Sequence, residues 1–191
     1  MLKNSLFIIV LVAMLTALLS CDGNKTFVPK PPTYLKIEFP KREYAIYEDE
    51  CDFSFEVPSY FEIQKLKNSC NRDIHFKGFD GMIHLSYIKM DTILSAYVNY
   101  VLDKIDEHKV KATAIYDSVF INNETEVYGT FFELQGNVAS PFQFYLTDST
   151  TIFMNGIIYF NTRPNYDSIK PVLNFVREYL YKIMKTTQWS K

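Results

Sequence analysis

Histidine, glycine and cysteine are scarce in this 191-residue chain, with three, six and three copies. The sequence contains no G-x-S-x-G elbow, no H-E-x-x-H pair and no G-x-x-x-x-G-K-[ST] loop. The familiar motifs of serine hydrolases, zinc peptidases and phosphate-binding loops are therefore missing. His75, His84 and His108 stand at spacings that fit no metal-ligand pattern. Lys and Arg total 20 against 22 Asp and Glu, with no basic stripe, which argues against a nucleic-acid partner. No apolar stretch approaches the roughly 20 residues of a spanning helix.

The most apolar run, Leu6 to Leu19, follows Lys3 and closes in Leu18-Leu19-Ser20-Cys21. A charged start, a short apolar stretch and a small residue before a cut make a secretory signal peptide. A cysteine just after the cut is the bacterial lipobox pattern, although Leu19 is bulky for its place. Residues 1–20 are expected to be removed and Cys21 to be acylated by palmitate-type chains. An uncleaved anchor helix is the alternative, for which the run is short. The address is then the cell envelope, on the outer membrane or the periplasmic face of the inner membrane. Residues 21–33, with Pro29, Pro31 and Pro32, read as an extended tether. Residues 34–191 suit one domain.

Within that domain Phe and Tyr are abundant, 16 and 14, which suggests a β-rich core filled by rings. Cys51 and Cys70 form an even pair in an oxidising compartment and read as a disulfide. Such a bridge closes about 20 residues and contributes on the order of 3 kcal/mol in the loop-entropy model. A metal or redox pair is the alternative, but the spacing is far from C-x-x-C and no histidine adjoins Cys51.

Alternation predicts strands at Tyr34 to Phe39, Phe53 to Val57, Phe61 to Leu66, Ile74 to Phe76 and Met82 to Ile88. The period then becomes helical over Leu94, Tyr97, Val98, Val101, Leu102 and Ile105, with Asp91 as N-cap. Two hairpins follow, Ala112 to Leu134 turning at Asn122-Asn123 and Pro141 to Phe160 turning at Asp148-Ser149. A second amphipathic helix carries Ile169, Val172, Leu173, Val176, Leu180 and Ile183, with Pro171 in its first turn. The expected fold is α+β, an antiparallel β-sheet with two long amphipathic helices packed on it. This order resembles the Mog1/PsbP-like α-β-α sandwich, a fold-level analogy.

Catalysis finds little support. His84 and Ser86 share a strand face and could join Asp80 or Asp148 in a hydrolase, but a polar outer face explains them as well. The stretch from Phe76 to Gly81 reads as a turn. Tyr97, Tyr100, Tyr116, Tyr128, Phe142, Phe144 and Tyr159 could line a ligand groove, or simply fill the core. Trp189 follows the last helix as a docking or capping residue. No catalytic residue, metal or cofactor is expected.

Linked segments carry a resemblance over nearly the whole mature chain. They are Pro29-Lys30-Pro31-Pro32, Phe53 to Tyr60 after Cys51, Gly81 to Tyr87, Tyr128-Gly129, Gly136 to Ser140, Gln143 to Ser149, and Tyr159 to Asn165. Together they resemble the gliding-motility lipoprotein family GldD. One departure is Asp52, where a proline is expected. The resemblance implies a non-enzymatic assembly or interaction subunit of gliding and the linked type IX secretion apparatus, with other machinery proteins as partners. A small-ligand or glycan-binding lipoprotein is the competing class. The stretch holding Gly136, Asn137, Ser140, Thr147 and Asp148 is the expected contact surface, because loops carry most binding function. The implied host group O-glycosylates exported proteins at Asp-Ser/Thr motifs, which marks Thr92, Ser118, Ser149 and Ser168. Helix caps at Asp91 and Asp167 and a turn at Asp148-Ser149 explain three of those motifs equally well.

Intact mass of the envelope-purified protein tests both modifications. The expected mass is that of residues 21–191 plus acyl chains plus glycan. A mass retaining residues 1–20 refutes the anchor; an acylated polypeptide without further mass refutes the glycosylation.

Overall fold

The computed structural model describes residues 37–190. The first hairpin pairs β1 (Tyr44–Asp49) with β2 (Phe53–Pro58), and the two-residue β10 (Gln188–Trp189) adds to the other edge of β2. The second sheet contains β3 (Glu62–Lys65), β4 (Arg72–Phe76), β5 (Gly81–Lys89), β6 (Ala112–Asn122), β7 (Val127–Gly136), β8 (Phe142–Thr147) and β9 (Ile152–Phe160). Its order is β3-β4-β5-β9-β8-β7-β6, and every pairing is antiparallel. Helix α1 (Leu94–Asp106) connects β5 to β6, and α2 (Tyr166–Thr186) connects β9 to β10.

Alternation sorts the apolar side chains into two cores. On β2, Phe53, Phe55 and Val57 are buried. They pack with Ile74, Phe76, Ile83, Leu85, Phe144, Leu146, Met154 and Ile158 of the larger sheet. Leu173, Phe175, Val176, Tyr179, Leu180, Ile183 and Met184 of α2 complete this core. The neighbours of those strand residues point the other way. Phe132, Leu134 and Phe153 form a second core with Val138 and with Val101 and Ile105 of α1. Strands β7 to β9 are therefore apolar on both faces, and their side chains do not follow a simple in–out pattern. Two glycines make room there. A Cβ on Gly156 would sit 2.2 Å from the Phe144 ring, and one on Gly129 would sit 1.9 Å from the Tyr145 carbonyl oxygen.

The two sheets are tied at one point by charge and covalent chemistry. Arg72 on β4 is 1% exposed. Its Nε and Nη2 donate to Asp49 Oδ2 and Oδ1 at 2.6 and 2.7 Å. Its Nη1 donates to the carbonyls of Ser69 and Asn71 at 2.9 and 2.7 Å. Nε also reaches the Tyr47 hydroxyl at 3.2 Å, and that hydroxyl donates to Asp49. Burial and the bond to Asp49 push the Tyr47 hydroxyl up to about 12. Burial pushes the Asp49 carboxyl upward too, but bonds from Arg72 and Tyr47 together outweigh it and hold the group low. The Cys51–Cys70 disulfide closes the same junction, with its Cα atoms 5.8 Å apart.

Several expectations change. The strand expected at 34–39 lies partly outside the described residues, and residues 37–39 are not in a strand. The first strand is β1, where Tyr44, Tyr47 and Asp49 are the residues turned inward, at a spacing too irregular to read as alternation. Two sheets replace the single one, because β2 pairs with β1 and β10 and not with β3. Asp91 does not cap α1; Ile93 holds that position, and Asp91 instead accepts from the Tyr97 hydroxyl at 2.6 Å. Leu102 is exposed. Helix α2 starts at Tyr166, three residues before the expected apolar stripe. Its cap is Asn165, whose side chain accepts from Ser168 N, and not Asp167. Pro171 therefore lies inside the helix, where it removes one backbone donor. Asp52 has φ of +67°, a conformation closed to proline.

Replacing Asp49 by Ala leaves the Arg72 guanidinium buried without its counter-charge, and should cost about 3–5 kcal/mol. Asp106→Ala, which removes an exposed i,i+3 pair with Lys109, should cost at most about 1 kcal/mol. Thermal melts check this, and equal losses in the two variants would refute the junction's role.

Candidate contact surfaces and clefts

The stretch expected as a contact surface spans both ends of β8 and does not form one face. Gly136 closes β7 at φ +111°, and a Cβ there would meet the Lys111 carbonyl oxygen at 2.7 Å. Asn137 is exposed, and its Oδ1 accepts from the backbone of Tyr166, the first residue of α2, at 3.0 Å. Val138 is buried in the α1 core. Ser140 is buried and its Oγ donates to the Phe142 carbonyl at 3.1 Å. This loop braces the two helices onto the sheet. Thr147, at the far end, is buried; its Oγ1 donates to the Ile152 carbonyl at 2.6 Å and accepts from Ser149 N at 2.9 Å. Ser140 and Thr147 are thus unavailable to a partner. A small hydroxyl beside a turn reads as a contact residue in sequence, while tertiary burial turns it inward.

Asp148 organises the β8–β9 turn. Its Oδ1 accepts from the backbone of Thr150, Thr151 and Ile152 at 3.0, 2.8 and 2.8 Å. Its Oδ2 accepts from the hydroxyls of Thr150 and Thr151, the latter at 2.5 Å. Burial alone would raise this carboxyl, but the Thr151 hydroxyl and the backbone donors of Ile152, Thr151 and Thr150 outweigh it and lower it to about 2. Ser149 sits at φ +71° in this turn. Asp148 is therefore a turn-former first.

The residues considered for catalysis separate. His84 Nδ1 is 2.6 Å from Asp73 Oδ1, a cross-strand pair in register on β4 and β5. Ser86 faces Asn155 across the β5–β9 ladder, Asp148 lies in the turn just described, and Asp80 lies in the β4–β5 turn at φ +46°. The aromatics considered for a groove also separate. Phe142 and Phe144 are core, Tyr97 stacks on Phe153 at 5.4 Å, and Tyr100, Tyr116 and Tyr159 are exposed. Trp189 belongs to β10, and its Nε1 donates to the Glu126 carbonyl at 3.1 Å.

Two adjoining surface clefts, of about 690 and 380 Å³, flank the β4–β5 turn and share His75, Asp80 and Gly81. The larger runs to Ile37, Lys77 and Val172, and the smaller to Met82, Tyr159 and Asn161. Among the described residues no group of three His, Cys, Asp or Glu is placed to hold a metal ion. Thr92, Ser118, Ser149 and Ser168 are all exposed. Cys21 lies outside the described residues. Sequence reasoning missed the Asp49–Arg72–Tyr47 cluster. Its signal was a lone Arg72 and Asp49 flanking the two cysteines, which only pairing across the sheets makes meaningful.

Compared with known families, the chain matches the family described as "Gliding motility lipoprotein GldD" over residues 24–189. No curated protein matches the chain.

The lowered Asp148 carboxyl makes stability pH-dependent with a definite sign. A folded value of about 2 against 3.8 means its contribution is complete above about pH 4 and is lost as pH falls through about 2. Asp148→Asn should be less stable than the parent at pH 7, with the gap closing toward pH 2 in denaturant titrations. A gap unchanged over that range would refute the assignment.

Proposed function

Because the chain belongs to the gliding motility lipoprotein GldD family, we propose that it is a non-enzymatic assembly subunit of the gliding apparatus and the linked type IX secretion system. A lipid on Cys21 holds it in the envelope, and its partners are other proteins of that machinery. The observation that carries this reading is the extent of the family match: residues 24–189 span the stretch after Cys21 through the final strand. The lipobox cysteine just ahead of it supports the anchor, and among the described residues no helix is long and apolar enough to cross a membrane. The Mog1/PsbP-like arrangement stays with this proposal as an analogy of layers, with α1 and α2 on opposite faces of the larger sheet. Glycans on Thr92, Ser118, Ser149 or Ser168 are consistent with the exposure of all four.

A small-ligand or glycan-binding role is the second reading. The adjoining clefts at the β4–β5 turn favour it, because an exposed Tyr159 stands beside His75, Asp80 and Asn161.

One motility assay separates these readings. A form secreted without Cys21 should fold and fail to restore gliding to a deletion strain, whereas restoration by it would remove the anchor from the function. A lipidated His75→Ala, Tyr159→Ala variant should restore gliding under the assembly reading. Loss of gliding in that exported variant would move the function to the clefts.

A further inference from the structure

The two edges of the seven-stranded sheet are built differently. Edge strand β3 has four residues, and its Glu62 and Lys65 form ion pairs with Lys77 and Glu50. Shortness and charge are the usual protection of a sheet edge against pairing. Edge strand β6 has neither. It runs for 11 residues with Asp117 as its one charge and no proline. Tyr116, Val119 and Ile121 on it are 56, 72 and 64% exposed. It is last in the strand order, so one side of its backbone has no strand partner among the described residues.

We propose that β6 is a self-association edge, pairing antiparallel with β6 of a second copy to give a closed two-fold dimer with one continuous sheet. The chain's own tether is a poor occupant, because Pro29, Pro31 and Pro32 interrupt it. The β6 sequence is self-complementary in one register. With the two-fold axis at Ser118, Ile115 opposes Ile121 and Tyr116 opposes Phe120, each twice. Asp117 opposes Val119. The pairing with β7 places Ile115, Asp117, Val119 and Ile121 on one face, opposite Leu134, Phe132, Thr130 and Tyr128. The cross-copy pairs therefore meet on matching faces. A register centred on Asp117 sets two carboxylates opposite each other, which is unfavourable. The contact is isologous and closes on itself, so it ends at two copies. It does not depend on the gliding role.

The test uses the full lipidated chain in detergent. Light scattering should give a dimer mass at micromolar protein. Ser118→Cys should form an intermolecular disulfide on mild oxidation, while Val110→Cys, 93% exposed and outside β6, should not. Val119→Lys with Ile121→Lys should weaken the dimer by at least about tenfold, without lowering the melting temperature measured at dilutions where the parent is also monomeric. A monomer at every concentration, equal crosslinking of both cysteine variants, or a dimer indifferent to the lysines would overturn the proposal. So would a glycan on Ser118 in the envelope protein, or a Ser118→Cys crosslink in cells to a different polypeptide.

Discussion

A guanidinium held away from water must find its hydrogen bonds inside the protein, and Arg72 finds them all within one junction. Asp49 supplies the opposing charge from the small sheet, the carbonyls of Ser69 and Asn71 take the donors of Nη1, and Cys51 Sγ accepts from Nη2 at 3.8 Å. The consequence is geometric. β1 can only sit where Asp49 meets Arg72, and β2 follows β1 through six register pairs. β2 in turn sets the face that α2 covers, through Phe53, Phe55 and Val57. The disulfide between Cys51 and Cys70 limits the same two segments in the unfolded chain. Charge gives the junction its geometry, and the covalent link reduces the entropy lost in forming it.

The larger sheet is covered unequally. α2 and the small sheet bury one face of it under a continuous aromatic core, where Phe175, Tyr179, Phe61 and Phe76 pack ring against ring. On the other face α1 buries only Val101 and Ile105 fully. What remains there is more polar, with the Asp73–His84 pair and the buried Gln143 and Asn155. The β4–β5 clefts reach in to the end of β9, the middle strand of the larger sheet, whereas β6 is its last strand.

Much of the fold was legible because its periods are local. Phe53 to Val57 and Met82 to Ile88 alternate because one face of each is wet, and the meander from Ala112 to Phe160 announces itself by its turns. Less was legible where a strand is buried on both faces or barely at all. β1 lacks a clean pattern for the second reason. The helix starts were misplaced because Asp91 and Asp167 are good caps in isolation, whereas Tyr97 and Asn165 made other use of the local donors and acceptors. The contact stretch failed for a different reason. Gly, Asn, Ser and Thr near a turn satisfy either a partner or the turn itself, and at Ser140 and Thr147 the turn took the hydroxyls.

By itself the sequence determined the α+β class and the membership later seen in the match over residues 24–189, and it set as expectations a lipobox at Cys21 and the pairing of Cys51 with Cys70. Each rests on residues close in the chain or on a pattern of linked segments, which needs no coordinates. Tertiary structure alone decided that the strands divide into two sheets, that Arg72 bridges them through Asp49, and that β6 is the last strand of the larger sheet among the described residues. Those outcomes depend on which strand lies beside which. Hydrogen-bonded neighbours are chosen by the whole core at once, so no local stretch of residues carries that information.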